Sequence, residues 1–385
     1  MEHEVSVISA LQAAKNLTKY DIVPVYISKE NEFFTGEALL DITLYRDIPS
    51  LLRKTTRVIF QKDDNGRTGL YRFPPKKLAD NFIAGFDFCL PVTHGTTVED
   101  GALQGFLKFQ GIPFAGSDVT ASAAGMDKFL TKTIAREAGV PVLPGAAVSV
   151  GQYIADSAAA FSRIERAVPY PMIVKPLNLG SSVGIKIAAD RAELKVAAEH
   201  AFMFSGDLIA ERAVTNLREV NVSVLGDKDG ARASVCEEPI ASGAILSYED
   251  KYGESGKGGK QSGMASLKRK IPADITAAQE AAIGNYAVAA FRAVGASGVA
   301  RCDFIIDGDE ADGGGEKGIY LNEINTIPGS LSFYLWEKSG LPYVNLLEEI
   351  IKLGKKRTRE EKSVNFSFRT NILQDAKFSS KTGKS

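Results

Sequence analysis

The sequence predicts an α/β protein of more than one domain, and three observations predict it. In the first hundred residues, short β-branched runs alternate with stretches of helical apolar spacing. Further on, the apolar strand YPMIVKP (170–176) runs into a small-residue turn, NLGSSVG, and then a second strand, IKIA. Near the carboxyl end, GVARCDFIID and GIYLNEINTIP read as two strands joined by the polar insertion DGDEADGGGEKG. A chain of 385 residues exceeds the usual single domain, so two or three domains are expected.

Composition narrows the function classes. A hydrophobic fraction of 44% and a charged fraction of 24% are those of a soluble globular protein with a sizeable core. The 46 basic and 47 acidic residues nearly cancel, which argues against a nucleic-acid or membrane-surface partner. No apolar run approaches the roughly 20 residues of a membrane span. The opening MEHEVSVISALQ lacks the basic and apolar blocks of a signal peptide. Cys89, Cys236 and Cys302 are widely spaced, and buried free thiols in a reducing cytoplasm are the expectation.

Taken in order, Val5 to Leu17 has helical spacing, DIVPVYIS (21–28) and VIFQK (58–62) read as strands, and FDFCLPVTHG (86–95) as a strand entering a loop. With a helix over 100–110, this pattern predicts a parallel sheet. A second region begins near Gly116 with one helix over 119–138, then the strand–turn–strand unit and a helix over 191–204. A third contains the strands DLIAERAV and EVNVSVLG, a helix over 272–294, the carboxyl-terminal strand pair and a last helix over 343–353. Residues 245–266, rich in Ser, Gly and Lys, are long for a plain connection and read as a lid. The expected divisions are 1–116, 117–205, 206–356 and a polar tail, 357–385, partly disordered.

The chemistry concentrates in the last strand pair. Glu323 and Asn325 lie two apart on a strand and share a face, and Arg301 and Asp303 share a face of the preceding strand. Two carboxylates and an amide oxygen are hard ligands suited to Mg²⁺ held jointly with phosphate oxygens. A guanidinium beside them can stabilise a phosphoryl group or an oxyanion. A solvated, salt-bridged face is the bland alternative, but four polar groups in otherwise apolar strands weaken it. Lys175 stands just before the NLGSSVG turn, whose backbone N–H groups can wrap phosphate oxygens. That turn lacks the GxxxxGK[ST] order, and alone it would read as a hairpin. Lys128, Glu211, Glu219 and His94 are individually nonspecific; Glu99 and Asp100 read as caps of the helix that follows.

Together, EHEVSVISA, HGTTVEDGALQGFLKFQGIPFAGSDVTASAAGMDKFLTK, PMIVKPLNLGSSVG, SYEDKYG and ARCDFIID…YLNEINTIPG resemble the D-alanine–D-alanine ligase family of ATP-grasp enzymes, over residues 2–353. The resemblance implies a three-domain ATP-grasp fold with ATP and two Mg²⁺ ions, Mn²⁺ being an alternative. Lys128, Lys175 and Ser182 match contacts to ATP phosphates, and Glu211 and Glu219 match the adenine and ribose contacts. Asp303, Glu323 and Asn325 match the metal ligands, and Arg301 the residue that stabilises the oxyanion. Glu2 matches the acid that fixes the first substrate's amino group, with Ser181 and Tyr252 as its partners. His94 matches a histidine beside that substrate, and Lys251 a lid lysine reaching toward the transferred phosphate.

The implied reaction joins two D-alanines through an acyl phosphate for peptidoglycan synthesis, in a cytoplasmic homodimer. The chain departs from the family pattern in three places. It begins at Met1–Glu2, without the strand and glycine-rich turn that precede this element in the family, which implies an amino-terminal domain lacking its first strand and weak or no ligase activity. SLSFYLWEKSG, after Pro328–Gly329, is about four residues shorter than the common form. The serine for the second substrate's carboxylate is then Ser330 or Ser332, with Ser332 preferred. LNLG stands where a charged residue often precedes the glycine. A different acceptor (D-serine, D-lactate or another amino acid) and a nucleotide-binding relic without turnover are the competing readings.

Overall fold

The computed structural model describes residues 2–180, 183–240, 269–311 and 314–364. The amino-terminal region opens with helix α1 (His3–Asn16), followed by β1 (Val25–Ile27), β2 (Phe33–Thr35), α2 (Ile48–Arg53), β3 (Thr56–Lys62), β4 (Thr68–Arg72) and β5 (Phe82–Gly85). These strands form one sheet in sequence order, and every neighbouring pair is antiparallel. The parallel sheet expected here is therefore corrected. Residues 63–67 and 73–81 are too few for a parallel crossover, which needs roughly a dozen. The strand expected over 86–95 also does not form; among the described residues only the bridge Cys89–Phe114 runs parallel in this region.

The next elements are α3 (Ala102–Phe109), α4 (Val119–Met126), α5 (Lys128–Glu137), β6 (Gly145–Ser149), α6 (Val150–Ala155), α7 (Ser157–Ala167), β7 (Met172–Pro176), β8 (Lys186–Ala188), α8 (Arg191–Phe202) and β9 (Asp207–Arg212). The single helix expected over 119–138 is two helices. Asp127 adopts an extended conformation and its carboxylate accepts from the Leu130 N–H, capping α5. The break places Lys128 at the start of a helix instead of inside one. The second sheet has the order β6-β9-β7-β8, and its face is covered by buried Leu194, Ala198, Phe161 and Ile164.

The third sheet has the order β12-β11-β10-β13-β14, built from β10 (Leu217–Gly226), β11 (Ala231–Pro239), β12 (Arg269–Lys270), β13 (Gly298–Asp307) and β14 (Ile319–Asn325). Helix α9 (Ala277–Ala293) starts at a capping box of Thr276 and Gln279 and lays Ile283 and Phe291 on one face of this sheet. Each such fully buried side chain contributes about 1.5–3 kcal/mol. Helices α10 (Phe333–Lys338) and α11 (Tyr343–Ser363) complete the fold. α11 continues ten residues past the expected end at Leu353, into the first part of what composition marked as tail. Buried Leu346, Leu347, Ile350 and Ile351 anchor its first half, and Arg357 donates to the Phe114 carbonyl (2.8 Å) beyond them.

Candidate active site

The site grows from strand alternation in the third sheet. β10 reads Val220-Asn221-Val222-Ser223-Val224, so the valines enter the core on the α9 side and the polar residues face the other way. Register aligns Glu237, Asn221, Asp303 and Glu323 in one row across β11, β10, β13 and β14. The adjacent row holds Ser223, Arg301 and Asn325. Arg301 grips Asp303 with two parallel bonds, Nε to Oδ1 at 2.6 Å and Nη2 to Oδ2 at 2.7 Å. Burial opposes the Arg301 charge, but the Asp303 carboxylate outweighs it and holds the guanidinium well above its ordinary pKa. Asn325 Nδ2 donates to Asp303 Oδ2 at 3.2 Å.

One cleft brings Arg301, Asp303, Glu323 and Asn325 together with Lys128 and Glu2. Lys128 Nζ donates to the Leu179 carbonyl (2.5 Å) and lies 3.7 Å from Glu323 Oε2. A lysine at a helix start, beside the backbone of the 178–180 turn and a carboxylate, is placed for phosphate oxygens. Among the described residues no group of three or more His, Cys, Asp or Glu side chains forms a metal cage. Two carboxylates and the Asn325 side-chain amide do line one cleft, and such oxygen-bearing groups fit a divalent cation completed by phosphate oxygens.

Lys175 and Glu211 are not on the cleft wall. Glu211 is fully buried on β9, and both its oxygens are taken: Oε1 by Lys132 Nζ, and Oε2 by Lys175 Nζ at 2.8 Å. Burial alone would raise this carboxyl, but the two ammonium groups win and hold it down at about 2. Lys175 Nζ also donates to Asn322 Oδ1 at 3.1 Å. The β13–β14 pairing jumps from Asp303↔Glu323 to Phe304↔Leu321, so Asn322 is the extra residue of a bulge. A bulge re-aims a side chain, and here the re-aimed amide ties the third sheet to the second.

At the other end, the Glu2 carboxylate sits between two backbone turns. A Cβ at Gly180 would lie 3.3 Å from Glu2 Oε1, and one at Gly95 3.6 Å from Oε2. His94 is buried against α1: Ser6 Oγ accepts from its N–H at 2.8 Å, and Ser9 Oγ is 3.0 Å from Nε2. Burial lowers the His94 pKa, against the raising effect of the Glu2 charge. Ser9 Oγ also accepts from the Ser330 N–H at 2.8 Å. Ser330, Leu331 and Ser332 all have φ near 50°, a left-handed turn that costs L-residues about 1–2 kcal/mol each. The buried hydroxyls of Ser330 and Ser332 have no hydrogen-bond partner among the described residues. Strain and unmet polarity in one turn mark a segment shaped for something other than stability.

Of the residues singled out from sequence, Glu2, Lys128, Glu219, Arg301, Asp303, Glu323 and Asn325 share the cleft. Lys175, Glu211, His94 and Ser332 are buried and do not line it. Ser181, Ser182, Lys251 and Tyr252, with the lid over 245–266, lie outside the described residues.

Sequence reasoning missed Glu237, Asn221 and Arg269, which also line the cleft. Glu237 accepts from Arg269 Nη1 (2.7 Å), Tyr334 Oη (3.0 Å) and Asn221 Nδ2 (3.2 Å). The Val-Asn-Val-Ser-Val alternation was the available signal for Asn221; nothing local marks Arg269. Glu99, read as a helix cap, instead accepts from the Gly95 N–H (3.1 Å) and the Ile327 N–H (3.3 Å). Burial pushes its carboxyl up to about 8, with the Glu2 charge adding to the rise. Asp100 accepts from the Thr97 N–H and from the Ala102 N–H at the start of α3, whose N-cap position is Gly101.

Residues 1–117 match the family model for the D-ala D-ala ligase N-terminus, and residues 134–352 that for the D-ala D-ala ligase C-terminus. A D-alanine–D-alanine ligase of Thermosipho melanesiensis is 35% identical over 377 residues, covering 97% of this chain and 95% of the relative. One from Bacillus cytotoxicus is 35% identical over 373 residues, covering 95% and 96%. Among solved structures, the D-alanine-D-alanine ligase from Coxiella burnetii superposes with a TM-score of 0.75 at 26% identity, covering 94% of this chain and 93% of that one. The VanG D-Ala:D-Ser ligase from Enterococcus faecalis gives 0.74 at 29% identity, covering 92% and 96%. With both halves matched by family models and near-complete coverage by relatives above 30% identity, the chain belongs to the D-alanine–D-alanine ligase family.

Proposed function

We propose that this enzyme joins two D-alanines at the expense of ATP, for peptidoglycan synthesis in the cytoplasm, as a homodimer. The observation that carries the reading is the convergence of Arg301, Asp303, Glu323 and Asn325 with Lys128 and Glu2 in one cleft. A carboxylate oxygen of the first D-alanine attacks the γ-phosphorus of ATP, giving an acyl phosphate and ADP. The amine of the second then attacks the acyl carbon, loses a proton, and phosphate leaves. Glu2 holds the first substrate's ammonium. Lys128 and Lys175 hold ATP phosphates, with Ser182 beside them, and Glu219 holds the ribose. Arg301 neutralises the oxyanion of the tetrahedral intermediate. Asp303, Glu323 and Asn325 would hold two Mg²⁺ ions, which screen phosphate charge.

Glu211 acts on the nucleotide through its lysines, since both carboxylate oxygens are engaged by them. His94 braces α1 beside the first substrate, where Ser181, Tyr252 and the lid lysine Lys251 would complete the site. Ser332, in the left-handed turn, offers its hydroxyl to the acceptor carboxylate. The shorter segment after Gly329 and the likeness to a D-Ala:D-Ser ligase favour one second reading, D-serine as acceptor. Phosphate release with D-alanine, D-serine or D-lactate beside D-alanine as donor, with products separated by chromatography, tests both. ATP-dependent dipeptide formation is expected; ATP binding without phosphate release in any mixture would sink the ligase reading.

A further inference from the structure

The buried Lys132–Glu211–Lys175 group does more than hold two sheets together. Its three side chains are 3%, 0% and 5% exposed as residues, so water contributes little to their charge balance. Lys132 comes from α5, Glu211 from β9 and Lys175 from β7, with Asn322 of β14 as the second acceptor for Lys175. Among the described residues Lys132 hydrogen-bonds to Glu211 alone, whereas Lys175 is shared between Glu211 and Asn322. Two ammonium groups and one carboxylate leave one positive charge in excess.

Resting on the proposed ATP reaction, we infer that Lys132 is a positioning residue: it is the standing counter-ion of Glu211, and its presence frees Lys175 to leave that carboxylate for the nucleotide phosphates. In this structure Lys175 is turned onto Glu211 and away from the cleft wall. Were Lys175 the only cation on Glu211, moving it to a phosphate would strand a fully buried carboxylate, and uncompensated burial of charge is strongly disfavoured. With Lys132 in place, Glu211 keeps one cation throughout. The excess charge then travels with Lys175 to the ligand. Lys132 itself need touch no substrate.

The test is charge balance read through ATP. Lys132→Met leaves one lysine for one carboxylate, so the Kd and KM for ATP should rise tenfold or more, with a smaller change in kcat and none in the KM for D-alanine. Lys132→Met combined with Glu211→Gln restores the excess charge and should bring both ATP constants within threefold of the parent. Titration calorimetry with ATP reads the binding arm whether or not dipeptide forms. A parent that binds ATP without forming dipeptide therefore counts against the proposed reaction, not against this inference. A folded Lys132→Met protein with unchanged ATP binding overturns it. Should the single variant not fold, the double variant decides alone: near-parental ATP binding supports the inference, and a tenfold loss overturns it.

Discussion

Asp303 and Glu99 border the same cleft and are held in opposite ways. Asp303 has the Arg301 guanidinium on both oxygens and sits in a row of polar residues on a rigid sheet. Glu99 sits on a loop and, among the described residues, receives only the N–H groups of Gly95 and Ile327. Both are buried to the same degree, each 9% exposed. Burial is therefore not what separates them. The separation comes from the neighbour: a cation in one case, and backbone dipoles with a second acid, Glu2, in the other. The reaction end of the cleft thus keeps its charges by pairing them, while the donor end favours a protonated acid.

The comparison can be broken first at the reaction end. Glu323→Gln keeps shape and removes a charge facing Lys128, so turnover should fall by about a thousandfold or more with little change in circular dichroism. Arg301→Lys keeps the charge but loses the two-point grip on Asp303, and a loss on the order of a hundredfold in kcat is expected. Steady-state phosphate release reads both; activity within twofold of the parent in either variant would contradict the paired-charge account.

The donor end is tested by pH. The folded pKa of Glu99, about 8, lies above its ordinary value of 4.5, so its folded state retains a proton that the unfolded state gives up. Its stabilising contribution is complete below pH 4.5 and is lost as pH rises through 8. Denaturant midpoints should fall between pH 5 and 9 by an amount equivalent to roughly 4 kcal/mol. Glu99→Gln, which mimics the protonated acid, should flatten that slope, and an unchanged slope would mean the carboxyl is already ionised. Glu211 has the opposite sign: its folded pKa of about 2 is below the ordinary value, so its contribution is present above pH 4.5 and disappears as pH falls toward 2. Away from both ends, Phe109, 86% exposed on α3, supplies the smallest effect. Phe109→Ser should leave stability within about 0.5 kcal/mol and activity unchanged.

Much of the reaction end was legible because strands have a period of two. Arg301 with Asp303, and Glu323 with Asn325, each share a face for that reason, and the observed register brings the two pairs together. Less of the donor end was legible. Glu99 reads as a helix cap from its position, and only the approach of Ile327 from the far carboxyl-terminal region turns it into a cleft acid. The split of the expected 119–138 helix at Asp127 was written in the sequence as an Asp that caps, but apolar spacing on both sides concealed it.

What the sequence by itself determined is the α/β class, the family and the donor types of the reaction: local periodicity and motif order depend on near neighbours along the chain. What only the tertiary structure decided is the pairing of charges between distant segments. It set the antiparallel order of the first sheet, placed Glu211 between Lys132 and Lys175, and gave Glu99, among the described residues, only backbone donors. The physical reason is that the charge state of a buried group depends on which other groups share its low-dielectric surroundings, and those come from segments far apart in the chain.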